Sequence, residues 1–380
     1  MNDKQFFERL LGGMSIERFL REYWQRKPLH VKNAIDPALL GIAPPELFAL
    51  AADDEVESRM VKRKGERWSL ARGPFPTLPN AKRDWTVLVQ GVNLHDARAD
   101  ALMDRFRFLP HARLDDVMIS YAVDGGGVGP HFDSYDVFLL QGIGTRHWRI
   151  SRQRDLTLIP DFPLKILADF RPDAEFLCEP GDLLYLPPQC AHDGVARGTC
   201  TTWSVGFRTP PHAEMLREYL MFSADQVDLP GRYADPGLAR PKHPAQVPGA
   251  MVDMLEDLVK RHRFARDEMA EFIGCFLSEP KSTTVFEHPV PALSRARFDK
   301  RVAKTGLAVQ RRAQLLHDRR RVYINGEALI ATAAEGRVLR KLADRRRLSG
   351  AEYAQAPTDV QDLLYGWYTD GWIIPLDTPE

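Results

Sequence analysis

His131 and Asp133 are separated by a single residue at the end of Gly125-Gly-Gly-Val-Gly-Pro-His-Phe-Asp, a stretch that follows an apolar run from Met118 to Val123. On an extended backbone successive side chains point to opposite faces, so the imidazole and the carboxylate project together while Phe132 turns into the opposite layer. Together they form two thirds of the 2-His-1-carboxylate face that holds non-haem Fe(II) with coordination positions left open. A structural zinc site, closed by four protein ligands, lacks that opening. The third ligand must come from elsewhere in the chain. The best candidate is His192, at the end of Glu179-Pro-Gly-Asp-Leu-Leu-Tyr-Leu-Pro-Pro-Gln-Cys-Ala-His.

The elements around these residues are strands. Pro180-Gly181-Asp182 reads as a turn, Leu183 to Leu186 as a short buried strand and Pro187-Pro188 as a second turn, after which His192 opens another extended run. Trp85 to Asn93 and segments centred on Ile119, Phe138, Trp148, Leu184 and Ser204 have strand character with Gly and Pro punctuation, which predicts a β barrel or sandwich in place of a βαβ fold. On the strand through Trp148, Arg146 and Trp148 share a face and His147 points away, so His147 is not expected as a ligand. Trp203 and Phe207 read as core filling, and His30, alone in Leu29-His-Val31, as structural.

Several stretches resemble the cupin-like JmjC ribosomal oxygenases, and among them the bacterial arginine hydroxylases of large-subunit ribosomal protein sixteen. They are Gly125 to Phe138, Gln141-Gly-X-Gly-X-Arg146-X-Trp148, Pro180 to Pro188 with His192, Ser204-Val-Gly-Phe-Arg208, and Phe19-Leu-Arg-Glu-Tyr-Trp24-Gln-Arg-Lys-Pro28-Leu. The resemblance implies a mainly β protein with α elements. A double-stranded β-helix over residues 1–212, with an N-terminal helical extension, would be followed by a helical dimerisation region over 213–293 and a winged-helix-like domain over 294–380. It implies an Fe(II)- and 2-oxoglutarate-dependent protein hydroxylase whose iron ligands are His131, Asp133 and His192. Arg146 would pair with the distal carboxylate of 2-oxoglutarate and Ser120 would add a hydroxyl, chemistry that suits a guanidinium fork and a neighbouring donor. The implied partners are a ribosomal protein substrate, hydroxylated at the 3-position of an arginine, and a second copy of the chain. A cationic substrate favours acidic groups at the mouth, and Asp124 and Asp136 beside the motif are the candidates.

The 380 residues exceed one average domain, and 44% hydrophobic with 27% charged is ordinary globular usage. Lys plus Arg and Asp plus Glu both total 52, so no global charge draws the chain to nucleic acid or membrane. Cys178, Cys190, Cys200 and Cys275 include no closely spaced pair, which argues against a disulfide framework or zinc ribbon and for a reducing cytoplasm. No run approaches the ~18 apolar residues of a membrane span, and the first residues lack the pattern of a secretion signal.

The first ~50 residues read as largely helical. Ser15 caps one helix, Lys27-Pro28 ends it, an edge strand runs over Leu29 to Val31, and Pro44 opens a further helix. From Ser58 to Leu78 short polar stretches alternate with apolar ones, with Ala71 to Pro76 reading as a loop, and Leu102 to Phe108 reads as a helix stopped by Pro110. After Pro210-Pro211 the period becomes helical: an apolar stripe from Met215 to Phe222, a Pro/Gly-rich linker from Pro230 to Pro248, then a stripe from Met251 to Phe276 with surface enough for a second body. From Arg295 to Arg347 there are 16 Lys/Arg against 5 Asp/Glu. Val322 to Ile330 is a hairpin on Asn325-Gly326, with helices from Glu335 and near Thr358 and a strand at Trp372-Ile-Ile. Helices closed by a small sheet suit a winged helix. The competing classes are therefore a cupin-like binding module acting as a nucleic-acid-binding regulator, and a small-molecule cupin oxygenase.

Overall fold

The computed structural model of the chain describes residues 3–240, 242–262 and 264–378. The chain divides into two compact units, residues 1–209 and 210–380.

The first unit begins with helices α1 (Asp3–Leu10) and α2 (Ile16–Glu22), strand β1 (Leu29–Val31) and helix α3 (Pro44–Ala52). Strands β2 (Ser58–Lys64), β3 (Arg67–Arg72) and β4 (Trp85–Val89) follow, then short helices α4 (Val92–His95) and α5 (Ala97–Asp104). Seven strands complete it: β5 (Leu114–Ala122), β6 (Val137–Gln141), β7 (Thr145–Ser151), β8 (Ala174–Cys178), β9 (Leu183–Leu186), β10 (Ala191–Arg197) and β11 (Cys200–Phe207). An eight-stranded sheet has the order β1-β9-β6-β11-β5-β4-β2-β3, and a three-stranded sheet the order β10-β7-β8.

The side-chain period explains how these layers stack. Along β6 and β9, Phe138, Leu140, Leu183 and Tyr185 join Phe19, Leu47, Phe106 and Trp203 in the core shared with the N-terminal helices. Their neighbours Val137, Leu139, Leu184 and Leu186 join Trp148, Ile150 and Cys178 of the small sheet. At β6 and β9 both faces of the large sheet are thus covered, which is why these strands are apolar at nearly every position. Each fully buried Leu or Phe contributes about 1.5–3 kcal/mol.

Ser15 caps α2 by accepting from the Arg18 amide at 3.2 Å. The helix stops at Glu22, before Lys27-Pro28, because Gln25 takes a left-handed φ of 56° and its amide donates to the Tyr185 hydroxyl at 2.8 Å. Three further expectations are corrected. The strand from Trp85 ends at Val89, where Gly91 (φ 59°) starts α4. The helix expected at Leu102 to Phe108 runs instead over Ala97–Asp104, because the Asp96 side chain accepts from the Arg98 amide and sets its start. Ser58 to Arg72, not read as strands, forms the β2–β3 hairpin on the sheet edge.

The second unit holds helices α6 (His212–Ala224), α7 (Gly249–Arg261), α8 (Arg266–Ser278) and α9 (Arg295–Thr305). Strands β12 (Leu307–Val309), β13 (Leu315–His317), β14 (Arg321–Ile324) and β15 (Glu327–Ile330) precede helix α10 (Ala333–Arg345), and β16 (Arg347–Leu348), helices α11 (Gly350–Ala354) and α12 (Thr358–Thr369) and β17 (Ile373–Pro375) end the chain. The apolar stripe from Met251 to Phe276 is broken into α7 and α8, since the described residues between Arg261 and Arg266 are not helical. The β14–β15 hairpin turns on Asn325 (φ 50°) and Gly326 (φ 90°), as its Asn-Gly pair requires. Capping boxes open α10 at Thr332/Glu335 and α11 at Ser349/Glu352. Phe298, Leu307, Val322, Leu339, Leu364 and Trp367 form its apolar core.

Candidate active site

His131 and His192 meet through their backbones before their side chains do. The His131 amide donates to the His192 carbonyl at 2.9 Å and the His192 amide returns the bond at 2.7 Å, an antiparallel bridge that fixes the two Cα atoms opposite one another. The glycine segment makes this pairing possible. Gly125 donates to the Ala196 carbonyl and Ala196 to the Gly126 carbonyl, so the loop runs along β10. A Cβ at Gly127 would lie 2.6 Å from the Gly194 carbonyl oxygen, and Gly129 adopts φ +80° to turn the chain into His131.

The ring centroids of His131 and His192 are 4.2 Å apart, and His192 Nε2 lies 3.6 Å from Asp133 Oδ2. One donor atom from each of the three residues falls within 4.8 Å of the others. Both imidazoles have fixed tautomers. His131 Nδ1 lies 2.9 Å from the Gly129 carbonyl and His192 Nδ1 lies 2.9 Å from the Cys190 carbonyl. A carbonyl only accepts, so each Nδ1 carries the proton and each Nε2 presents a lone pair. Burial, reinforced by the neighbouring His131 ring, pushes His192 down to about 4. It is therefore neutral and able to bind metal at pH 7. The donor set, its fixed tautomers and the half-open side at Asp133 (side chain 23% exposed) fit a facially bound Fe(II).

Arg146 on β7 reaches the same interior. It is 4% exposed, with its guanidinium 5.6 Å from the Trp148 ring. Its contacts are long: Nη1 to the Gly194 carbonyl and Nη2 to the Ser120 hydroxyl, both at 3.4 Å, with Nε unpartnered. Among the described residues no carboxylate neutralises it. A buried guanidinium with unsatisfied donors beside a hydroxyl has the chemistry to fit a small anionic group, and a carboxylate matches its fork.

The structure thus brings together His131, Asp133 and His192, with Arg146 and Ser120 forming a contact of their own in the barrel interior. His147 turns outward to Glu175 at 2.9 Å, and Trp148 packs 5.9 Å from the His192 ring. Asp136 does not stand at the mouth: it is fully buried, accepts from the Tyr185 hydroxyl at 2.6 Å and from the Gln25 side chain at 2.9 Å, and its pKa is raised by that burial. Asp124 lines a cavity of about 390 Å³ with Phe48, Trp85 and Tyr121, and is bound there by Arg83 at 2.5 Å. Sequence reasoning missed Thr202, whose hydroxyl donates to Gln141 Oε1 at 3.2 Å and whose carbonyl faces Ser120. The signal was present in β11, where Thr202 and Ser204 alternate with Trp203 and Val205, a polar stripe on the inner face.

A double-stranded β-helix that gathers two histidines and an aspartate is the architecture of a JmjC-domain protein, and residues 101–215 match that domain family. Residues 254–373 match the ROXA-like winged helix. The chain is 35% identical over 276 residues to the ribosomal protein uL16 3-hydroxylase of Escherichia coli K12, spanning 72% of this chain and 74% of that one. It is also 29% identical to a probable ribosomal oxygenase of Haemophilus influenzae, over 94% of this chain and 95% of that one. The chain belongs to the ribosomal oxygenase family. Crystal structures of Escherichia coli YcfD superpose with TM-scores of 0.83 and, for the complex with cobalt and 2-oxoglutarate, 0.81, at 30% identity over 95% of this chain and 98% of that one.

Proposed function

We propose that this chain is an Fe(II)- and 2-oxoglutarate-dependent dioxygenase that hydroxylates the 3-position of an arginine in large-subunit ribosomal protein uL16. The observation that carries the reading is the buried, unneutralised Arg146 in the same barrel interior as three convergent metal donors. His131 Nε2, His192 Nε2 and an Asp133 oxygen would hold the iron, and Arg146 with Ser120 would hold the distal carboxylate of the co-substrate. Bound iron and 2-oxoglutarate supply the oxidising chemistry. The chain's part is positional: the Gly129 and Cys190 carbonyls keep both rings oriented, Trp148 walls off the His192 ring, and Arg146 fixes the co-substrate's far end.

Purified protein with Fe(II), ascorbate and 2-oxoglutarate should add the mass of one oxygen to an arginine-containing uL16 peptide, coupled to succinate release and abolished by His131→Ala. Uncoupled turnover, or modification that survives His131→Ala, overturns the assignment.

Homodimerisation through the helices of the second unit is part of the same reading. Leu216 (58% exposed), Leu255 (60%) and Val259 (59%) leave an apolar face on α6 and α7 that a second copy would cover. Leu255→Asp should turn a dimer into a monomer in analytical ultracentrifugation. No helix among the described residues is long and apolar enough to cross a membrane, and four free thiols support a cytoplasmic location. The regulator reading loses support in the arginine clusters, where Arg320 and Arg321 are bound by Asp267, Arg345 by Glu352, and Arg346 by the carbonyls of Ala313 and Gln310.

A further inference from the structure

Among the described residues one other group of side chains gathers metal-binding atoms as closely as the candidate active site does: His30, Cys178 and Asp182, with donor atoms mutually within 4.8 Å. They converge for a topological reason. His30 lies on edge strand β1 opposite Leu184 of β9, Cys178 ends β8, and Asp182 closes the turn that joins β8 to β9. Two observations point to a cation. His30 Nε2 is buried with no hydrogen-bond partner while its ring lies 4.6 Å from Phe176, and a buried polar atom left unpaired is destabilising. Beside it the Lys32 ammonium is held by Asp182 Oδ2 at 2.8 Å, the Leu177 carbonyl at 2.9 Å and Glu179 Oε2 at 3.4 Å. Three oxygens around one half-exposed ammonium mark a place where positive charge is already stabilised.

We propose that this cluster is a second metal site of the Zn(II) class, with His30 Nε2, Cys178 Sγ and an Asp182 oxygen as ligands and Glu179 within reach of the fourth position. Sulfur, nitrogen and carboxylate together select zinc over magnesium or calcium. Zn–S and Zn–N bonds of about 2.3 and 2.1 Å place neighbouring donors about 3.5 Å apart, so the side chains close by roughly 1 Å on binding. Asp182 keeps the Asn33 and Glu179 amides on its oxygens, and Lys32 swings into solvent as the metal arrives. Burial lowers the pKa of the His30 imidazole and pushes that of the Cys178 thiol up to about 12. Metal binding therefore breaks the Cys178 S–H bond as the S–Zn bond forms, and one proton passes to water for each ion bound. The bound ion joins β1 to the β8–β9 turn at the end of the large sheet.

The test uses the full chain with Co(II) as a spectroscopic probe. The candidate active site offers only nitrogen and oxygen, so a thiolate-to-cobalt charge-transfer band in the near ultraviolet reports the new site alone. Two equivalents of cobalt should bind with that band present, and Zn(II) should displace it. His131→Ala should keep the band. Cys178→Ser should lose it and bind one equivalent, and His30→Gln should weaken it about tenfold or more, with circular dichroism confirming the fold. Lys32→Met retains every ligand, removes the competing ammonium and should bind more tightly. A single equivalent in the wild type, a band that survives Cys178→Ser, or no band in Lys32→Met would each overturn the proposal.

Discussion

Two arginines, one in each unit, are buried to nearly the same degree, Arg146 at 4% and Arg321 at 5% exposure, yet their surroundings treat them in opposite ways. Arg321 on β14 is met by Asp267 with two bonds, at 3.0 and 2.6 Å, and by Glu271 at 3.1 Å. Its charge is neutralised by the helix it packs against. Arg146 has two 3.4 Å contacts to neutral oxygens and, among the described residues, no carboxylate. A charge buried and paired organises a core, whereas one buried and left unpaired is destabilising until a partner arrives. The contrast separates a guanidinium whose charge the fold meets from one whose charge it leaves unmet.

The comparison breaks most visibly at Arg146. Arg146→Met should cut 2-oxoglutarate turnover by about a hundredfold or more, chiefly by raising KM for the co-substrate, because one half of a buried charge pair is worth about 2–5 kcal/mol. Its thermal midpoint should stay level or rise, since an uncompensated charge has gone. An unchanged KM would end the receptor assignment. Arg321→Met should do the reverse, leaving KM alone and lowering stability by roughly 2–3 kcal/mol, read as a lower denaturant midpoint, because Glu271 loses its counter-charge and Asp267 keeps only the exposed Arg320. 2-Oxoglutarate with a redox-inert divalent metal should raise the wild-type melting midpoint, by about 2.7 kcal/mol of stabilisation at a hundred times Kd, and should leave that of Arg146→Met unmoved.

The smallest effect lies at Glu352, where Lys341 at 2.7 Å and the Ser349 amide hold the carboxyl down to about 2. Because the folded value is depressed, its contribution is present above pH 4.5 and is lost as the pH falls toward 2. Glu352→Gln should flatten that segment of the stability profile, and the effect at neutral pH should be below about 1 kcal/mol for so exposed a pair.

What could be read from the residues follows from how local the cause is. The Asn325-Gly326 turn, the Ser15 cap and the proline start of α3 depend on chemistry within a few positions, and each occurs where its residues stand. The tripeptide His131-Phe-Asp133 announced a shared direction, and its donor atoms do converge, although only His131 is paired and no strand spans the three residues. The β2–β3 hairpin was not legible: Lys62, Arg63, Lys64 and Arg67 give it no apolar alternation, and its register is set by pairing with β4. Asp136 misled for the related reason that only distant partners, Tyr185 and Gln25, draw a carboxylate inward. Arg146 stood out in sequence only through the family's motif, because the missing carboxylate is a property of the space around it.

The mutual amide bonds between His131 and His192 carry one more consequence. The spacing of the two rings is built into a rung of main-chain pairing, so it does not wait for an ion to gather loose ends. Treatment with a chelator should empty the pocket and leave the sheets standing, with far-ultraviolet circular dichroism unchanged, and iron returned afterwards should find its seat without any refolding.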